Sequence, residues 1–213
     1  MGRPREFDER QVLDAAIDAF LIKGYEATST RDLVKCTGLT QPSLYNAFGD
    51  KRALFRHALD HYLEQTLRER ISRLESSLQP GLAIAAFFGE TVERALADKQ
   101  QRGCLLVNSA LEATFEDEEF RQAIASELIQ IKDFFHRCLL EAHRRKEAPA
   151  TLPADAVASH LLATLLGIRV LARVNPQRVL LTQAVSPVLT MLGLPPLPKP
   201  SWTRSALAAH NAI

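Results

Sequence analysis

Apolar residues recur at steps of three and four along almost the whole of this chain, and nowhere over a useful length at steps of two. That periodicity suits packed helices and leaves little room for a sheet. Over residues 9–23 it runs Val12, Leu13, Ala16, Ile17, Phe20 and Leu21, one face of a helix, which Gly24 closes. Thr28, Ser29 and Thr30 each offer a cap for a second helix. Asp32 falls in its first turn, where a carboxylate suits the helix dipole, Leu33 and Val34 give it an apolar face, and Gly38 stops it. A third, short helix runs from Gln41 to about Phe48 with Pro42 at a tolerated early position. Gly49 and Asp50 then precede a long helix from Lys51 to about Ser77, and Pro80-Gly81 breaks the chain. Further helices are predicted over 82–98, 104–114, 117–146, 155–173 and 178–192, with a loop at 147–153, a break at Asn175-Pro176 and a stop at Gly193. The end of the chain, 195–213, opens with four prolines in six residues. It is expected to start extended and be loosely held, with a frayed helix near 204–210. No internal repeat is visible.

The chain has 213 residues, enough to bury a core without staples. Its 26 basic and 25 acidic residues nearly cancel, so any case for nucleic acid must come from local placement. Cys36, Cys104 and Cys138 are an odd, widely spaced set with no CxxC, which argues against a disulfide framework or a cysteine metal site. The first residues lack the apolar core of a signal peptide. No apolar run is expected to span a bilayer, because the longest, near 161–172, contains Gly167 and Arg169. A reducing cytoplasm and no membrane partner are the resulting expectations. His57 and His61 stand four apart on one helix face, but no acid with matching ligand spacing joins them. There is no P-loop, GxSxG or HExxH, so an enzyme is not expected, nor any cofactor. A helical protein-interaction module is the other alternative, and it would not need the pattern that follows.

Residues 29–46 have the layout of a helix-turn-helix: one helix ends at Gly38, Leu39-Thr40 turn, and the next helix starts at once. Gln41, Ser43 and Asn46 should point outward with Tyr45 beside them, while Leu44 and Phe48, four apart, pack inward. Gln and Asn can make paired hydrogen bonds to adenine edges, and Ser serves several bases or a phosphate. Tyr45 and Lys51 suit phosphate oxygens, and Arg3 and Arg5 form a small basic arm. Tyr25 reads as a packing residue rather than a contact, and Lys23 and Lys35 as solvated.

The ordered set AAIDAFLIKGYEATSTRDLVKCTGLTQPSLYNAFGDKRALF, 15–55, closely resembles the TetR family of transcriptional regulators. The resemblance implies an all-α fold: a three-helix DNA-binding domain (1–52), a helical ligand-binding and dimerisation domain (53–194) and, here, a proline-rich tail (195–213). It implies DNA contacts from Thr30 and Arg31, a recognition-helix set of Gln41, Pro42, Ser43, Tyr45 and Asn46, and a backbone clamp at Lys51. Asp50, an acid beside Lys51, departs from the pattern. The expected partners are double-stranded operator DNA, a small-molecule effector and a second copy of the chain. The helices at 155–173 and 178–192 fit the dimer role, being more apolar than one buried face needs.

Effector candidates lie among apolar residues mixed with a few polar groups: Phe87, Phe88, Thr91, Cys104, Val107, Asn108, Leu111, Phe115, Phe134, Phe135 and Cys138. Each aromatic among them equally fits a plain core position. Cys104 opens a helix after Arg102-Gly103, and both the helix N-terminus and Arg102 would favour its thiolate. A Gly-Cys-Leu opening resembles that of family members sensing electrophiles or oxidants, which makes a thiol-based regulator the alternative to a ligand-released one. A small capping residue is the plainer reading of the same position.

Overall fold

The computed structural model describes residues 7–114 and 117–199. Its helices are α1 (Glu9–Lys23), α2 (Thr30–Thr37), α3 (Gln41–Phe48), α4 (Lys51–Leu63), α5 (Glu69–Ser77), α6 (Pro80–Ala97), α7 (Leu105–Glu112), α8 (Glu118–Arg144), α9 (Ala154–Val174) and α10 (Arg178–Met191). No strand occurs among the described residues. The long helix expected over 51–77 is continuous but passes through one π turn, Glu64–Arg68, between α4 and α5.

The chain divides into two compact units. The first contains residues up to Glu69 and the segment Cys104–Arg121. This differs from the boundary expected at 52–53, and the reason is packing. Leu54, Phe55, Ala58 and Leu59 of α4 are buried, as are Val12, Leu13, Ala16, Ile17, Phe20 and Leu21 of α1, and the two helices share one core. Against them α2 contributes Leu33, and α3 contributes Leu44 and Phe48. A small core of this kind is stabilised by roughly 1.5–3 kcal/mol for each large apolar side chain fully buried. The segment 104–121 joins this unit through α7, which packs on α1 and α4.

The second unit contains Arg70–Gly103 and the chain from Gln122. Its central helix is α6, buried at every position from Pro80 to Val92 except Leu82. Helices α9 and α10 pack on α6 and on each other. Phe87 and Phe88 of α6 meet Phe134 and Phe135 of α8, with ring centroids 5.2–5.5 Å apart. The buried guanidinium of Arg70 lies over Phe87, 4.0 Å from its centroid. Both carboxylate oxygens of Glu90, also buried, accept from Arg73 at 2.8 Å.

Two expectations are corrected here. The proline-rich segment is held rather than loose over 194–199. Leu194 is buried, and a Cβ on Gly81 or Gly89 would stand only 3.2 Å from Pro195 Cδ or 3.0 Å from Pro198 Cδ. These two α6 glycines are notches that the prolines fill. The possible helix near 204–210 and the arm residues Arg3 and Arg5 lie outside the described residues. The apolar run around 161–172 is also longer than expected. Neither Gly167 nor Arg169 interrupts α9, which has the length and apolarity of a membrane span. One face of α9 is buried through Val157, Ala158, Leu161, Leu165 and Ile168, as in a core helix.

Candidate nucleic-acid interface

Local chemistry sets the position of α2 and α3. Ser29 caps α2, and Asp32 returns the favour by accepting the Ser29 N–H at 2.9 Å, a complete capping box. Lys23, expected to be merely solvated, donates to the other oxygen of Asp32 at 2.5 Å. That hydrogen bond, with those from Ser29, holds the Asp32 carboxyl well below its usual range. The turn closes at Gly38, whose φ of 70° is the left-handed conformation that favours glycine. Nothing lies within 4 Å of where its Cβ would be, so backbone geometry alone selects the residue. Thr40 then caps α3, accepting the Ser43 N–H at 3.3 Å, with Pro42 in the first turn.

On α3 the side chains of Gln41, Pro42, Ser43 and Asn46 are exposed, while Leu44 and Phe48 are buried. A polar ridge thus stands on an apolar anchor, as the sequence predicts. Tyr45 is half-buried, and its hydroxyl meets the Thr30 hydroxyl at 2.7 Å, tying α2 to α3. Arg31 is exposed at the start of α2. Asp50 caps α4 by accepting the Ala53 N–H at 2.8 Å. Its departure from the family pattern therefore has a structural role. Lys51 donates to the Glu26 carbonyl at 3.3 Å and lies over the Tyr25 ring, 4.5 Å from its centroid.

Tyr25 is a packing residue, as expected. Its ring stacks on Phe120 at 5.0 Å and meets Phe55 edge-on at 4.9 Å, and burial pushes its phenol above the ordinary value. Phe120 belongs to a segment that sequence reasoning did not connect with DNA reading. In that segment Asp117 accepts from Arg52 at 2.5 Å, Glu119 accepts from Arg56 at 2.6 Å, and Glu112 accepts the Glu26 N–H at 3.0 Å. These partners are 63 to 86 residues apart, and no local signal marks them.

The effector candidates are distributed over both units. Phe87, Phe88, Thr91, Phe134, Phe135 and Cys138 are buried in the second unit, whereas Cys104, Val107 and Asn108 are buried in the first. Leu111 is 73% exposed, and Phe115 lies outside the described residues. Cys138 does border a cavity of about 210 Å³ in the second unit, with Glu75, Leu78, Pro80, Ala83 and Arg137 among its walls. Burial pushes the Cys138 thiol up to about 12. Cys104 takes the N-cap position of α7 without a side-chain cap bond. Arg102 pairs with Asp98 at 3.5 Å. His57 stands edge-on to Phe48, and His61 meets Asp14 at 3.1 Å and Gln65 at 2.9 Å. Among the described residues no three His, Cys, Asp or Glu side chains are grouped to hold a metal.

Residues 12–58 match the family model for bacterial regulatory proteins of the tetR family, and residues 81–186 match that for the tetracyclin repressor-like C-terminal domain. The chain is 34% identical to YezE of Bacillus subtilis (strain 168), an uncharacterized HTH-type transcriptional regulator, over 82% of this chain and 91% of that protein. It is 29% identical to the HTH-type transcriptional repressor ComR of Escherichia coli (strain K12), over 81% and 82%. Among solved structures, a cysteine variant of the TetR family transcriptional regulator CifR, complexed with 26-base-pair double-strand operator DNA, superposes with a TM-score of 0.80. That likeness has 34% identity and covers 88% of this chain and 98% of the other.

Proposed function

This chain belongs to the TetR family of DNA-binding transcriptional regulators, which are not enzymes, and from that premise we propose a ligand-released repressor that grips a pseudo-palindromic operator as a homodimer. The observation that carries the reading is the ridge of α3: Gln41, Ser43 and Asn46 exposed above the buried Leu44 and Phe48. In this reading α3 enters the major groove, where Gln41 and Asn46 read base edges, and Thr30, Arg31, Ser43 and Lys51 hold the backbone. The operator complex of CifR and the repressor activity of ComR support it by analogy. The dimer seam falls on α9 and α10, which expose Val170, Leu171, Val174, Val179 and Met191. Apolar side chains in such number on two adjacent helices favour a four-helix seam with a second copy. Two readers related by a two-fold axis need half-sites about 34–36 Å apart.

Footprinting upstream of candidate genes tests the reading. Two symmetric protected half-sites are expected, and Asn46→Ala should lose about 1–3 kcal/mol of discrimination at one base pair while leaving random-sequence binding unchanged. A single asymmetric half-site, or equal loss on all sequences, would contradict it. The effector would act by favouring a dimer whose readers no longer match successive grooves, and only a molecule with different affinity for the two states can do so.

A second reading rests on the place of Cys104. It opens α7, and the last residue of that helix, Glu112, holds the backbone at Glu26. A thiol adduct there would disturb a helix joined to the reading unit. Under this reading an electrophile releases DNA from the parent protein but not from Cys104→Ser. Equal release from both variants assigns Cys104 to packing.

A further inference from the structure

We propose that Glu112 is a positioning residue for the DNA-backbone contact of Lys51, and that α7 acts on DNA affinity through it. The inference rests on the reading of Lys51 as a phosphate contact. The N–H of Glu26 donates to Glu112 Oε2 at 3.0 Å, and the carbonyl of the same residue accepts from Lys51 Nζ at 3.3 Å. One residue of backbone therefore joins the end of α7 to the start of α4. A carboxylate acceptor makes the first of these bonds charge-assisted.

The turn before it is built around the same carboxylate. Gly24 has φ 85° and ψ 165°, a conformation that side-chain-bearing residues almost never adopt. A Cβ on Gly24 would stand 2.4 Å from Glu112 Oε1, so the carboxylate occupies the space that glycine leaves. Gly38 offers a contrast: its positive φ also favours glycine, but nothing fills the space beside it. Two features far apart in sequence, a glycine-only turn and an acid 86 residues beyond Glu26, thus meet at one backbone amide.

Lysine is a point charge on a flexible stem and keeps a fixed position only where partners hold it. Here the Tyr25 ring and the Glu26 carbonyl do so. The ammonium has three donors, so two remain for phosphate oxygens. Without Glu112 the Glu26 backbone loses its anchor, and Lys51 loses the geometry that preorganises it. Because Cys104 caps the other end of the same short helix, whatever shifts α7 also shifts this acceptor.

The test measures binding to a mixed-sequence DNA duplex by fluorescence anisotropy across a salt series. Lys51→Ala should lower the slope of log affinity against log salt by about one. Glu112→Ala should lower it by the same amount, and the double variant should be no lower than Lys51→Ala alone. Glu112→Gln removes the charge but keeps an oxygen that accepts the Glu26 N–H, so it should rescue the slope lost in Glu112→Ala. If thermal melts show that Glu112→Ala does not fold, Glu112→Asp replaces it, since its shorter carboxylate cannot reach and should lower the slope likewise. A parental slope in Glu112→Ala or Glu112→Asp, with Lys51→Ala lowered, overturns the role of Glu112 and leaves that of Lys51 standing. A parental slope in Lys51→Ala overturns the reading of Lys51, and this inference with it. Tighter binding by both Glu112→Ala and Glu112→Gln reduces Glu112 to a charge that repels DNA, which also overturns the proposal.

Discussion

Helices α3 and α7 are each eight residues long and lie in the same compact unit, yet they are specified in opposite ways. α3 carries a threonine cap and an early proline, and turns a polar face outward. α7 has no side-chain cap bond and no acid in its first turn, and it buries Leu105 to Ser109 without a break. A helix that presents one face to a partner needs local signals to hold its ends and its register. A helix set inside a unit is held by what surrounds it. The first kind should resist change elsewhere in the protein, and the second should respond to it.

The largest expected effect tests whether both helices are anchored by apolar burial. Leu44 of α3 is fully buried and Leu106 of α7 is 1% exposed. Truncating either to Ala should cost about 2–5 kcal/mol, through lost transfer energy and the cavity left behind. Urea unfolding of the two variants measures this. A cost well below that range for Leu106→Ala alone would break the comparison, since α7 would not then depend on its interior contacts.

What the sequence made legible follows the same division. Caps, turn glycine and apolar anchor of α3 lie within a dozen residues of one another, so spacing alone announced the helix-turn-helix. The place of α7 and the residues just after it rests on Glu112 meeting Gly24 and Glu26, on Arg52 meeting Asp117, and on Tyr25 meeting Phe120. None of these pairs leaves a local trace, because each is made by packing between distant segments. Grouping Phe87 with Cys104 and Leu111 as effector candidates followed their shared apolar character. Burial and compactness place Phe87 and Cys104 in different units and leave Leu111 exposed. The proline-rich segment misled for a related reason. Proline content predicts an extended backbone, and only the structure shows two glycines of α6 shaped to receive it.

A middle-sized effect compares the two helix starts directly. Thr40→Ala removes the acceptor for the Ser43 N–H and should cost about 1 kcal/mol. Cys104→Ser adds a hydroxyl at a cap position that makes no side-chain bond, so this variant should be no less stable than the parent. Thermal melts decide between these outcomes. If Cys104→Ser is destabilised as much as Thr40→Ala, the sulfur contributes packing that the absence of a cap bond conceals.

The smallest effect is a pH dependence at the start of α2 that the starts of α3 and α7 lack. Asp32 accepts from Ser29 and Lys23, and Lys23 is the first cause of its lowered pKa. A carboxyl whose folded pKa is depressed stabilises the fold fully above its unfolded value, about 3.9, and loses that contribution as pH falls through the folded value. The capping box of α2 should therefore weaken only in acid, while α7, with no acid in its first turn, has no such dependence at its N-terminus. Asp32→Asn should be the less stable protein at neutral pH, and the gap to the parent should narrow as pH drops below about 4. The pair is exposed to solvent, so the gap should also shrink with added salt. Melting temperatures recorded for both proteins from neutral pH into acid test this. Parallel curves would show that the capping box holds α2 through neutral hydrogen bonds alone, and the start of α2 would then share the pH-insensitivity of the starts of α3 and α7.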